Sequence, residues 1–211
     1  MRTTNFKLKP ALLILLAVAL LGYACSRVED NTRAGSLLVV ENIIGFNGGD
    51  ETEETPLLSD MCESAPPGCD QCGVVNDNAN VTFSNEFLQI GPGSGVGSGS
   101  FLNDIIVTRY RVDYFRPNNR NTPGVDVPFG VDGTMNVRVP LNGTAGASIV
   151  IVRHISKTEP PLSDLVQLGP FEGVITTQSE IKFFGQDVSG RTVSALGFLE
   201  IHFANFADEG C

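Results

Sequence analysis

Five cysteines, two histidines and an acid-rich loop hold most of the reactive side chains in this sequence. Cys62, Cys69 and Cys72 share one short stretch, Cys211 stands at the end, and Cys25 lies apart near the start. Four thiolates can close a tetrahedral zinc site, usually as two short pairs, a pattern that a single far-off Cys211 does not supply. Outside the cytoplasm thiols oxidise, so two disulfides are the simpler chemistry for Cys62, Cys69, Cys72 and Cys211. Three pairings are open. We favour one bridge within 62–72 and one from that loop to Cys211, whose long loop would contribute about 4–5 kcal/mol in the chain-entropy model. Cys69-Asp70-Gln71-Cys72 has redox-motif spacing but lacks the alternating αβ context of an oxidoreductase.

His154 and His202 are the two histidines, each on an expected strand, and both read as surface side chains. A hydrolase would need one of them beside a serine and a carboxylate, and no Gly-x-Ser-x-Gly elbow precedes a helix. Gly95-Val96-Gly97-Ser98-Gly99 has the composition of a phosphate loop without the following Lys-Ser/Thr, and reads as a linker. Asp50, Glu51, Glu53 and Glu54 cluster, and Asp126 and Asp132 bracket an Asn-rich loop. Calcium wants six to eight oxygens, but no Asp-x-Asp-x-Asp-Gly pattern occurs, so solvated acidic loops are expected, with no metal and no cofactor. Phe115 and Phe198 fall on nominally outer strand faces and are candidate contact residues.

The compartment follows from the first residues. Arg2, Lys7 and Lys9 precede an unbroken apolar run, Ala11 to Leu21, the layout of a secretory signal too short to span a bilayer comfortably. Gly22-Tyr23-Ala24-Cys25 then resembles the bacterial lipoprotein signal. That resemblance implies cleavage after residue 24, lipid on Cys25, and a polar tether over 25–35. It leaves an even number of cysteines to pair. Gly22 and Ala24 would also suit ordinary signal peptidase. Ser26 after the Cys resembles the outer-membrane class of bacteria that sort by this position. The mature chain would carry 11 Lys+Arg against 24 Asp+Glu, a net charge of −13. So acidic a chain excludes nucleic acid as a partner and makes the lipid, not the surface, the membrane contact.

The rest of the chain, 36–211, reads as strands and turns. Ser36–Ile44 is β-branched and Leu-rich. Residues 45–73 are acidic, Gly/Pro-punctuated and Cys-rich, an irregular loop in need of cross-links. Asn80–Ile90 reads as a strand pair or one bulged strand, and 91–100 as a Gly/Ser-rich loop. In Phe101–Arg116, Ile106, Thr108, Tyr110, Val112 and Tyr114 alternate with Arg109, Arg111 and Asp113, a half-buried strand. Met135, Val137, Val139 and Leu141 form another. Asn142-Gly143 signals a tight turn to Ser148–Ile155, a hairpin partner or near neighbour. Pro161–Leu168 suits one or two helical turns, with Ser163 as cap. Val174–Phe184, a turn at 185–190, and Thr192–Phe206 complete the pattern, with Val193, Ala195, Gly197, Leu199, Ile201 and Phe203 on one face.

Seven or eight strands with little helix predict an all-β, antiparallel two-sheet sandwich. Val107–Phe115 (VTRYRVDYF) resembles a central strand of immunoglobulin-like and fibronectin-like sandwiches. Phe183–Asp208 resembles the closing hairpin of uncharacterised bacterial lipoproteins of that type. Neither resemblance carries a catalytic or binding residue. The expected function is a non-catalytic, lipid-anchored envelope protein that binds or scaffolds another envelope component; an envelope hydrolase and a small-ligand or metal carrier are the alternatives. If the cysteines pair as expected, reduction of the membrane-extracted protein should add four hydrogens to its intact mass, and an unchanged mass would contradict two disulfides.

Overall fold

The computed structural model describes residues 35–48, 53–61, 63–64, 72–87, 100–166 and 173–206. Long runs of β-branched and aromatic residues at period two become the principal strands: β1 (Ser36–Phe46), β6 (Asp77–Phe87), β7 (Ile105–Phe115), β8 (Val131–Val139), β9 (Thr144–Val152), β10 (Ile175–Asp187) and β11 (Thr192–Ala204). Between β1 and β6 lie four short pieces, β2 (Glu53–Glu54), β3 (Leu57–Asp60), β4 (Glu63–Ser64) and β5 (Cys72–Gly73). The strands stack as a four-stranded sheet in the order β2-β1-β6-β9 over a five-stranded sheet in the order β3-β11-β10-β7-β8, with β4 and β5 paired separately. Helix is confined among the described residues to single turns, including His154–Lys157 and Ser163–Val166.

The all-β sandwich is as expected, with two corrections. Nine strands build the two sheets, not seven or eight, and the pairing is mixed because β3 runs parallel to β11, with Leu57 opposite Ile201. The reason lies in the segment read as an irregular loop. Leu57 and Met61 are fully buried, and the Met61 N–H donates to the Ala204 carbonyl (3.0 Å), so a few apolar residues inside an acidic stretch suffice to dock an edge strand. That strand also covers the edge β11 would otherwise expose.

The faces of β7 change phase midway. Ile105 and Val107 are buried, then Tyr110, Val112 and Tyr114, because the register on both neighbours skips Thr108. This bulge turns Ile106 and Thr108 away from the core, contrary to a strict alternation. It also brings the two tyrosines to bear on the opposite sheet. The Tyr110 hydroxyl donates to the Val150 carbonyl (3.1 Å) and the Tyr114 hydroxyl to the Ile151 carbonyl (2.5 Å), both in β9. Gly133 of β8 must be glycine for this packing, since a Cβ there would sit 2.1 Å from the Tyr110 ring. Phe83 meets Phe183 edge-on at 4.8 Å between centroids, and Tyr114 meets Phe203 at 6.0 Å.

Asn142-Gly143 makes a turn, but not a hairpin within one sheet. β8 belongs to the five-stranded sheet and β9 to the four-stranded one, so the turn, with Asn142 at φ 54°, carries the chain across the open side of the sandwich. Backbone bonds from Asn142 N–H to the Asn85 carbonyl (2.8 Å) and from Asn85 N–H to the Gly143 carbonyl (3.1 Å) hold it to β6. Asp104 braces the same corner, accepting from Leu141 N–H (2.9 Å) and from Arg138 Nε (2.8 Å). The Leu141 amide leads in holding the Asp104 carboxyl below its ordinary value of 3.8; burial opposes this and Arg138 adds to it.

The strand expected to reach Ile155 stops at Val152, and the chain turns into the helix His154–Lys157. Asn76 Oδ1 accepts the His154 N–H (2.7 Å) and so starts that turn. Its consequence is Lys157, whose side chain is wholly buried. Lys157 Nζ donates to Asp77 Oδ1 (2.8 Å) and to the Asp60 carbonyl (2.8 Å). Asp77 also accepts from the Ser59 hydroxyl at Oδ2 (2.5 Å) and from Gly48 N–H at Oδ1 (3.2 Å), while Asp60 Oδ1 accepts Phe206 N–H (3.0 Å). Burial pushes the Asp77 carboxyl above its ordinary value against the pull of Lys157 and of these donors.

Two outcomes follow. Asp77→Ala strands a buried ammonium and should cost about 3–5 kcal/mol in urea unfolding; a loss under 1 kcal/mol would show the knot to be dispensable. Asp104 binds its proton less readily folded than unfolded, so its contribution is complete above pH 3.8 and disappears as pH falls through the lowered folded value. Asp104→Asn should therefore lower stability near neutrality by about 1–3 kcal/mol and flatten the acid limb of the stability–pH curve. An unchanged acid limb would contradict that account.

Candidate binding surface

The outward side chains of the five-stranded sheet form a grid fixed by strand register. Lys182 of β10 lies opposite Leu196 of β11 and Arg111 of β7; Glu180 lies opposite Phe198 and Asp113; Gln178 lies opposite Glu200 and Phe115. Phe198 is 51% exposed, Leu196 45% and Phe115 42%, large apolar area left in water on one flat face. Leu58 of β3, opposite His202, extends the apolar edge. Both outer-face phenylalanines singled out in the sequence are thus exposed, on strands separated by β10.

Charge on this face is unevenly satisfied. Arg111 grips both oxygens of Asp113 (2.8 Å each) and reaches Asp132 (2.9 Å). The Arg109 guanidinium instead lies 4.3 Å from the Phe184 ring centroid, and Lys182 Nζ 5.6 Å from the same ring. Among the described residues neither of these two cations ion-pairs with a carboxylate. The face therefore presents an aromatic flanked by cations at one end and Phe198, Leu196 and Phe115 further along.

The histidines are separate. His202 pairs with Glu200 (2.9 Å) on the open sheet face. His154 lines a shallow cleft of about 230 Å³ with Asn76, Tyr110, Val150 and Arg153. There Asn76 Oδ1 already accepts the His154 backbone N–H, so its 3.1 Å contact with the ring requires a proton on Nδ1. Among the described residues the lining of that cleft includes neither a serine nor a carboxylate. Asp126 is held by Arg120 (3.0 Å) and by the Thr122 N–H (3.3 Å), and Asp132 by Arg111. Among the described residues no group of three or more His, Cys, Asp or Glu is placed to hold a metal.

Cys25, Cys62, Cys69 and Cys211, and with them Asp50, Glu51 and the Gly95–Gly99 run, lie outside the described residues. Cys72 is placed by its backbone alone, in β5 opposite Ser64. No described helix is long and apolar enough to cross a membrane. The groups that sequence reasoning missed are Asp77 and Lys157, for which an isolated Lys and Asp give no spacing signal, and Arg109 with Phe184, which come together only through sheet register.

No family model matches the chain, and no curated protein matches it. One solved structure that it resembles is described as the X-ray structure of Northeast Structural Genomics Consortium target SoR45. The two share 9% identity with a TM-score of 0.34, over 81% of this chain and 86% of that one. A superposition that loose carries no argument about fold or role.

Proposed function

We propose that this protein is a lipid-anchored component of the bacterial envelope, tethered through Cys25 to what we read as the outer membrane. In this reading it is non-catalytic and uses the outer face of its five-stranded sheet to bind another envelope protein. The observation that carries it is the gathering of Phe198, Leu196 and Phe115 in solvent on one sheet face, beside the cations around Phe184 that pair with no carboxylate among the described residues. Apolar anchors set among charges are what a specific, non-obligate interface presents before it is covered. A partner fitting this face would carry its own apolar patch with carboxylates placed for Arg109 and Lys182.

The anchor rests on the signal-like residues Arg2 to Cys25 and on a net charge that disfavours direct contact with anionic lipid. The two-sheet stack, with Tyr110 and Tyr114 filling the space between layers, supports an immunoglobulin-like or fibronectin-like kinship for the sandwich. Paired bridges among Cys62, Cys69, Cys72 and Cys211 belong to the same proposal, since an envelope location would oxidise them.

A photo-crosslinking side chain at position 198 in the membrane-bound protein tests the surface. One discrete adduct is expected, abolished when Leu196→Asp is added, with the unfolding midpoint unchanged. Equal labelling from position 198 and from exposed Val125 on the Asn-rich loop would overturn the assignment. Cys25→Ser should shift the protein from the membrane to the soluble fraction.

A further inference from the structure

Lys157 and Asp77 form the one ion pair among the described residues in which both side chains are fully out of solvent, at 0% exposure each. Their atoms are arranged for more than a charge pair. Nζ lies 2.8 Å from Oδ1, so the carboxyl carbon is one bond beyond a contact already made. Oδ2, on the other side of the same carbon, is held by the Ser59 hydroxyl, and Nζ has a second acceptor in the Asp60 carbonyl.

We propose that Lys157 and Asp77 condense to an intramolecular amide, a covalent staple between the start of β6 and the crossover that follows β9. Nζ attacks Cγ and forms the N–C bond. Two of the three ammonium protons pass to Oδ1, the Cγ–Oδ1 bond breaks, and Oδ1 leaves as water. No oxidant, metal or co-substrate enters the balance. The negative charge that gathers on Oδ2 during the attack falls on an oxygen already bonded to the Ser59 hydroxyl. In the product Oδ2 becomes the amide oxygen and still accepts from Ser59, while the remaining N–H still donates to the Asp60 carbonyl. Both polar groups of the new bond are satisfied by partners already in place.

Three features favour the reaction over a persistent ion pair. Nucleophile and electrophile are fixed together by the fold, which replaces a bimolecular encounter. Exclusion of solvent removes the water that would reverse the step, and condensation ends the cost of keeping two charges dry. Burial also raises the proton affinity of the Asp77 carboxyl, which eases the arrival of the first proton on Oδ1. Oδ1, the departing oxygen, faces the Gly48 amide, and Gly48 is solvent-exposed, which gives the water a way out.

Tryptic mapping of the purified full chain, denatured, reduced and alkylated, decides the matter. Between Ala34 and Arg109 there is no Lys or Arg, so Asp77 lies in peptide 34–109. An amide at Lys157 blocks cleavage there and leaves 154–182 intact. The expected product is 34–109 joined to 154–182, lighter by one water than the two together, with fragmentation placing the link at Asp77 and Lys157. Lys157→Arg should give the two regions as separate peptides. Recovery from the unaltered protein of a free peptide ending at Lys157, with 34–109 unjoined, would overturn the proposal without recourse to any variant.

Discussion

Asp77 and Lys157 sit where hydrophobic packing alone would place neither. Enclosing both out of water is costly unless every donor and acceptor is matched. The surrounding chain does the matching: Ser59 and Gly48 serve Asp77, and the Asp60 carbonyl takes the second Lys157 bond. Those partners come from the turn after β1 and from β3, while Lys157 itself comes from the crossover after β9. One polar cluster thereby fixes the parallel edge strand, the start of β6 and the helical turn to one another. Asp60 extends it to the end of β11 through Phe206 N–H. Loss of Asp77 or Lys157 leaves the other buried without its charged partner, which couples the elements that the cluster joins.

That constraint explains how an acidic, glycine-punctuated stretch contributes structure at all. Residues 45–73 hold few apolar groups, yet Leu57 and Met61 reach full burial because the neighbouring Ser59 and Asp60 are satisfied in the interior. Tyr110 and Tyr114 perform a similar task between the layers close by, where their hydroxyls bond across to β9. Burial keeps the Tyr114 phenol protonated far above its ordinary range, so it is a permanent donor. Phe198, Leu196 and Phe115 lie apart from this packing, exposed on the outer face of the five-stranded sheet.

Much of this was legible in the sequence where periodicity was long and uninterrupted. The face shared by Val193, Leu199, Ile201 and Phe203 emerged as read, as did the outward placement of Phe115 and Phe198. Alternation misled at Thr108, because a bulge inverts the phase and nothing local marks it. Asn142-Gly143 gave the turn but not its destination: turn chemistry does not say whether the next strand rejoins the same sheet. The parallel edge strand was hidden because four residues, Leu57–Asp60, are too few to show a period. The knot was hidden because Asp77 and Lys157 are 80 residues apart and look like surface residues until the fold encloses them. The side chains of the cysteines, which dominated the chemical reading, are not among those the structure describes.

Amide hydrogen exchange on the full chain measures directly whether one buried polar cluster organises the edges of the sandwich. The amides of Met61 and Phe206 should be protected as strongly as the β10–β11 ladder, and Lys157→Met should release both together while β7–β10 pairs stay protected. Rapid exchange at these amides in the unaltered protein, or release confined to the turn at His154–Lys157, would contradict it.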